Sequence, residues 1–291
     1  MIKIEKVRVP PIKIQGIKTK LVPFIADKID WYADEGIWYE PFMGSGVVGF
    51  NIGPKKAIFS DINPHIINFY NDIKTGIITP EIVRSYLEIE GAKLALTPAD
   101  KNSYYYEVRN RFNIEPNSLD FLFLQRSNFN GMIRFSKNGY NVPFGRKPER
   151  FRPALITKIV NQVAWVQKEI QKNNWTFIVS TWQESLDNVK KNDFVYLDPP
   201  YIGRNAEYFT PWDEKDADEL AEFFRNHYDI KFGLSMWQKN DYRENDYLDK
   251  WQGRVYTNEH FYHVGAKENN RNSIKRIGSA INGWNAHGNS I

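Results

Sequence analysis

Phe194-Val195-Tyr196-Leu197-Asp198-Pro199-Pro200-Tyr201 decides how this 291-residue chain is read. Its first four residues form an unbroken apolar run, the pattern of a buried strand. The two prolines stop that strand, and a residue that precedes proline is held extended. The corner so formed presents one carboxylate, one or two backbone carbonyls and one aromatic ring. Proline has no N–H, so those carbonyls turn to a ligand without a competing donor. A planar amine on a flat ring fits this set, and the amino group of a nucleobase is such an amine. The plain alternative is a strand-ending turn, since Asp and Pro are common turn residues.

Two more strand ends frame this corner. Ile37-Trp38-Tyr39-Glu40 reads as a short strand that runs into Pro41-Phe42-Met43-Gly44-Ser45-Gly46. Gly44-Ser45-Gly46-Val47-Val48-Gly49 fits a G-x-G-x-x-G loop between strand and helix, where glycines allow a tight turn and close approach of a ligand. Ala57-Ile58-Phe59-Ser60 ends at Asp61, where a carboxylate accepts hydrogen bonds from both hydroxyls of a ribose. These features suit any adenosine-containing cofactor, so a nicotinamide oxidoreductase is the first rival reading. Glu40 and Pro41, however, are poor company for a pyrophosphate. Glu40 better suits a positive group, such as the amino group of an amino-acid moiety. A tight turn with an exposed Asp is the plain alternative.

Strand and helix patterns alternate up to about residue 75. Lys18 to Tyr32 has helical spacing, and Asn63-Pro64 opens another helix as N-cap and first helical residue. Helical patterns dominate residues 76–175, among them Pro80 to Glu90 and Leu155 to Ile170. Alternation returns over residues 176–291. Thr176 to Val179 and Lys231 to Leu234 read as strands, and Asp213 to Arg225 as a helix. Tyr256 to Val264 and Ser279 to Asn282 predict an antiparallel pair closing the sheet. The predicted fold is α/β: a Rossmann-like sheet in two halves, 1–75 and 176–291, interrupted by a mostly helical insertion at 76–175.

Arg126 to Arg152 holds seven Arg or Lys and one acid, Glu149. Asn138-Gly139 is a hairpin turn signal between Ile133-Arg134-Phe135 and Tyr140-Asn141-Val142. Aromatic residues interleave with the charges, as in nucleic-acid-binding segments, although a solvated basic loop is the usual fate of a charge run. A second basic stretch, Lys267, Arg271, Lys275 and Arg276, is either a phosphate contact or a surface turn. The chain has 15% aromatic residues, which serve as core or as stacking faces for bases. Its net charge of +4 weakly favours an anionic partner. It has no Cys, hence no disulfide, thiolate metal site or Cys nucleophile, as in a reducing cytoplasm. Met1 to Pro11 lacks the apolar core of a signal peptide, and no 18-residue apolar run predicts a membrane span. The five His show no metal-ligand spacing, and no metal is expected.

Five motifs, in this order, resemble the DNA adenine methyltransferase family, the group with its cofactor loop first and its catalytic tetrapeptide last. They are Lys13-Ile14-Gln15-Gly16-Ile17-Lys18, Glu40-Pro41-Phe42-Met43-Gly44-Ser45-Gly46, Ser60-Asp61-Ile62-Asn63, the pair Asn128-Phe129-Asn130-Gly131 and Asn141-Val142-Pro143-Phe144-Gly145, and Asp198-Pro199-Pro200-Tyr201. Ile14 departs from the family's usual aromatic there, and Ile17 from its second glycine.

The resemblance implies methyl transfer from S-adenosyl-L-methionine to the N6 amine of a flipped-out adenine in duplex DNA. It implies a site-specific enzyme with a restriction endonuclease as genetic partner, acting as a monomer. Asp198, Pro199, Pro200 and Tyr201 are the implied catalytic set. Ile14, Lys18, Glu40, Pro41, Phe42, Gly44, Ser45, Gly46, Asp61, Ile62 and Asp198 are the implied cofactor contacts, with the cofactor adenine also near Thr181 to Glu184. Arg126, Asn128, Asn130, Arg134, Lys137, Asn138, Tyr140, Asn141, Arg146 and Lys147 are the implied DNA contacts. Phe209 and Trp212 are either walls of the base pocket or ordinary core. The alternatives are cytosine-N4 methylation on the same fold, a DNA-binding module without catalysis, and the oxidoreductase.

Overall fold

A computed structural model describes residues 2–14, 16–32, 36–201, 212–236, 245–251, 253–261 and 274–278. Its strands are β1 (Trp38–Glu40), β2 (Lys56–Asp61), β3 (Phe135–Ser136), β4 (Gly139–Tyr140), β5 (Asn174–Val179), β6 (Phe194–Leu197), β7 (Lys231–Leu234), β8 (Thr257–Phe261) and β9 (Ile274–Gly278). Five of them form one parallel sheet in the order β5-β2-β1-β6-β7. The chain runs outward from β1 to β2 and β5, then returns to β6 on the other side of β1. That reversal makes β1/β6 the switch point, where a crevice opens at the carboxyl ends of the strands. Glu40 ends β1 and Asp198 follows β6, so the two strand-end motifs meet there.

The alternation of side chains along a strand sorts the core into two layers. Trp38, Phe194 and Tyr196 face one buried cluster, and Tyr39, Val195 and Leu197 face the other. The first cluster holds α1 (Val22–Lys28), α2 (Val47–Ile52) and α3 (Pro64–Thr75) against the sheet. It continues without a break into α4 (Pro80–Ala95), α5 (Tyr104–Ile114), α6 (Ser118–Ser127) and α7 (Pro153–Lys172). On the other face lie α8 (Trp182–Leu186) and α9 (Glu214–Asn226).

Local sequence explains the helix starts. Asn63 caps α3 by accepting from the His65 N–H, with Pro64 at the first helical position. Asp213 and Asp216 form a reciprocal cap on α9, as do Thr181 and Glu184 on α8. Every residue of α6 except Leu119 is buried. Its Asp120 is therefore paired with Arg111 of α5, which also reaches Glu90 of α4 at 2.7 Å.

The predicted hairpin is present as β3–β4, with Gly139 at φ +90°. The C-terminal expectation needs correction. The antiparallel pair joins 257–261 to 274–278, and among the described residues it is a separate ribbon rather than an edge of the sheet. Ser279 to Asn282 lie outside the described residues.

Candidate active site

The site is built on three strand ends. After β1, the chain turns through Gly44 and Gly46, both left-handed at φ +47° and +70°. A side chain at Gly46 would also strike the Phe50 ring at 2.7 Å. The turn is tied to β2 by the Met43 N–H on the Ser60 carbonyl at 2.9 Å and the Gly44 N–H on Asp61 Oδ2 at 2.9 Å. Asp61 Oδ1 accepts from the Asn63 N–H at 2.9 Å. Each Asp61 oxygen keeps a lone pair for a ligand hydroxyl. Burial pushes the Asp61 carboxyl up to about 6, against the pull of those two N–H groups. Ser45 is buried, and its carbonyl accepts from the Tyr70 hydroxyl at 2.6 Å. Pro41 is buried, Phe42 is half-buried, and Ile62 is exposed beside Asp61.

Glu40 lies beneath the loop, 2% exposed. Its Oε2 accepts from the Trp38 indole N–H and the Gly49 N–H, both at 3.0 Å. The third glycine of the loop motif is explained here. A Cβ on Gly49 would lie 2.4 Å from both Glu40 Oε2 and the Phe59 ring. Burial pushes the Glu40 carboxyl up to about 8, and the charge of Asp198 adds to that rise. A cation placed beside Glu40 would favour its ionised form.

Lys18 links the N-terminal motif to the tetrapeptide. Its ammonium, 4% exposed, donates to Asp198 Oδ2 at 2.6 Å and to the Gly16 carbonyl at 3.1 Å. It lies 5.3 Å from the centre of the Tyr201 ring. The Tyr201 hydroxyl donates to Asp198 Oδ1 at 3.4 Å. Burial pushes Asp198 above the usual carboxylate range, and Lys18 and then Tyr201 oppose the shift. Lys18, expected against the cofactor, grips the Asp198 carboxylate across 180 positions of sequence. No spacing pattern signals that pair. Ile14 reaches the glycine turn, since a Cβ on Gly44 would stand 3.2 Å from its Cδ1. Pro199, Pro200 and Tyr201 line a pocket with Trp212 and Met236. Trp212 also packs edge-on against Phe42 at 5.3 Å, which joins the tetrapeptide side to the glycine loop. Phe209 lies outside the described residues.

The cleft brings together three carboxyl groups (Glu40, Asp61, Asp198) and one lysine already paired. Such a set suits a cationic, ribose-bearing ligand better than a pyrophosphate. A sequence-family model for the D12 class N6 adenine-specific DNA methyltransferase matches residues 15–270. The chain belongs to this family. The Type II methyltransferase M.FokI of Planomicrobium okeanokoites is 28% identical over 267 residues, 87% of this chain and 39% of the relative. The Type II methyltransferase M.MjaIII of Methanocaldococcus jannaschii is 27% identical over 267 residues, 84% of this chain and 88% of the relative. A DNA adenine methylase of Haemophilus influenzae is 33% identical over 167 residues, 56% of this chain and 54% of the relative. The chain thus spans well under two thirds of M.FokI and of the Haemophilus methylase.

The expected DNA contacts divide in two. Asn130, Lys137, Asn138, Arg146 and Lys147 are exposed. Arg134 is half-buried and held by Asn141, through Nε on Oδ1 at 2.7 Å and Nη2 on the carbonyl at 3.1 Å. Arg126, Asn128 and Tyr140 lie inside, away from solvent. Arg126 is 8% exposed and donates to the Pro11 carbonyl at 3.1 Å, because all of α6 except Leu119 is buried. Asn128 donates to the Met132 carbonyl and the Tyr140 hydroxyl, both at 2.6 Å, and so braces the turn from within. Lys13 opens the first of the five motifs but is not among the expected contacts. Its ammonium is pushed down to about 8 by burial and by Arg126, Arg150 and Lys158. Thr181 and Glu184 are spent on the α8 cap rather than free. Of the second basic stretch, Lys275 and Arg276 fall on β9, while Lys267 and Arg271 lie outside the described residues.

Among the described residues no helix is long and apolar enough to cross a membrane, and no cluster of His, Asp and Glu could hold a metal.

Proposed function

We propose that this protein transfers a methyl group from S-adenosyl-L-methionine to the N6 amine of an adenine flipped out of duplex DNA. The observation that carries the reading is the meeting of the Asp198 corner with the Glu40 and Gly44–Gly46 loop at one sheet crevice, on adjacent strands. The donor set fits the cofactor: Asp61 for the ribose, buried Glu40 for the ammonium of the methionine part, and left-handed glycines where the ligand passes over the backbone. When bound, the cofactor supplies an electrophilic methyl group on a sulfonium.

The protein's own work is positioning and electrostatics. The adenine amine is a poor nucleophile because its lone pair is delocalised into the ring. Asp198 and the Pro199 carbonyl each accept one amine hydrogen, which favours a pyramidal nitrogen and frees the lone pair. Lys18 favours the ionised form of Asp198 against its burial, and that negative charge would face the positive charge growing on the nitrogen. Tyr201 supplies a stacking face. Flipping costs roughly a few kcal/mol, offset by contacts from Asn130, Arg134, Lys137 and Asn138. A modification enzyme of this kind works beside a restriction endonuclease in the cytoplasm, and that is the setting we propose.

Incubation with radiolabelled cofactor and duplexes of varied sequence, followed by nucleoside separation, tests this. Label in N6-methyladenine supports the reading. Label only in N4-methylcytosine, or in no nucleoside, defeats it.

A further inference from the structure

The β3–β4 hairpin carries Arg134 at its base and Lys137 and Asn138 at its tip, yet it has only two residues per strand. A two-stranded ribbon that short does not hold its own shape. Besides Asn128, which bonds the Tyr140 hydroxyl, two side chains on other elements hold it. Asn113, near the end of α5, takes both polar groups of Tyr140. Its Oδ1 accepts from the Tyr140 N–H at 2.7 Å, and its Nδ2 donates to the Tyr140 carbonyl at 3.0 Å. One amide thus stands in for a third strand. The fit is close enough to demand glycine at the turn, since a Cβ on Gly139 would lie 2.5 Å from Asn113 Oδ1.

On the β3 side, His65 of α3 stacks on Phe135, with ring centroids 4.9 Å apart and planes 10° apart. Phe112 and Phe121 enclose the same imidazole at 5.0 and 5.8 Å. Burial holds His65 down at about 4, so it is a neutral ring at physiological pH. It acts through its face. His65 lies four positions beyond Asp61, on the helix that Asn63 caps.

We propose that Asn113 and His65 are positioning residues that fix the hairpin against DNA and thereby set the sequence specificity of methylation, without touching DNA themselves. This rests on the function proposed above. A register shift of one residue would turn every side chain of the ribbon to the other face. Two anchors, one polar and one aromatic, hold it in place.

The test compares the intact chain with Asn113→Ala, His65→Ala and His65→Phe. Methylation rates are measured on the duplex that the wild type modifies and on its single-base variants, alongside cofactor affinity and thermal melting. Loss of the paired amide should lower discrimination between cognate and variant duplexes by about tenfold, with cofactor affinity unchanged. His65→Ala should behave likewise, and His65→Phe should restore discrimination because the stacking face returns. If Asn113→Ala does not fold, the two His65 variants decide the question alone. Wild-type discrimination in Asn113→Ala or His65→Ala overturns the inference. So does a loss of cofactor affinity that matches the loss of rate, or His65→Phe failing as badly as His65→Ala. A wild type that makes no N6-methyladenine defeats the functional reading itself, a separate result from any of these.

Discussion

Replacing Asp198 by Asn separates catalysis from folding. The amide keeps the shape and one acceptor oxygen but removes the charge that faces the developing cation. One preorganised electrostatic contact to a transition state is worth about 2.7–4 kcal/mol, or 10²–10³ in kcat. The substitution also takes from Lys18, whose side chain is 4% exposed, its charged partner at 2.6 Å. Breaking a buried pair from one side costs about 3–5 kcal/mol, mostly the penalty of the orphaned charge. Asp198 itself is 24% exposed, so the lower end applies. Asp198→Asn should therefore lower both kcat and stability, the latter by about 3 kcal/mol. Adding Lys18→Met removes the ammonium that has lost its carboxylate and should restore most of the stability but none of the turnover. Single-turnover methyl transfer on saturating DNA reads the first quantity, and urea unfolding reads the second. Wild-type turnover in Asp198→Asn, or turnover regained in the double variant, would refute the assignment of Asp198.

Cofactor binding near pH 7 should release close to one proton, because Glu40, held at about 8 by burial, ionises when an ammonium arrives; titration calorimetry in buffers of different ionisation enthalpy reads this, and buffer-independent heats would count against it. Glu40 also has a stability signature. Its folded value lies above the unfolded one of 4.5, so the folded state binds more protons between about 4.5 and 8, and stability without ligand should fall as pH rises through that window. Glu40→Gln should flatten the fall, as seen in melting temperatures across pH, while weakening the cofactor about 10–100-fold through loss of a charged hydrogen bond. Gly49→Ala should cost about 1–3 kcal/mol by overpacking, since its Cβ would lie 2.4 Å from Glu40 Oε2. It should also weaken cofactor binding measured by fluorescence; an unchanged melt and affinity would show that Glu40 need not stay where it is. Arg134→Ala should weaken specific DNA binding by about 1–3 kcal/mol if the arginine reads a base, with cofactor affinity unaltered; equal binding to the cognate duplex would remove it from recognition.

The sheet was legible because its strand ends carry their own punctuation. Asp198-Pro199-Pro200 stops β6, and Gly44 and Gly46 turn the chain after β1, each for a local reason. The helix caps at Asn63, Asp213 and Thr181 are local in the same sense. What stayed hidden depends on contacts distant in sequence. Nothing near Lys18 announces Asp198, and nothing near Asn113 announces Tyr140. The basic segment misled for a different physical reason. Charge runs suggest an open surface, but all of α6 except Leu119 is buried, so Arg126 turns inward to the Pro11 carbonyl and Asn128 inward to Met132. The exposed members, Asn130, Lys137, Asn138, Arg146 and Lys147, belong to turns where no core claims them.

A crystal structure of the protein with S-adenosylhomocysteine and its duplex tests the shared cleft most directly. The predicted result is an extrahelical adenine on Tyr201 whose N6 lies about 3 Å from both Asp198 and the Pro199 carbonyl, the distance of an ordinary N–H···O bond, with the cofactor sulfur on the Gly44–Gly46 side. A target base still stacked in the duplex, or an N6 held away from Asp198, would contradict it.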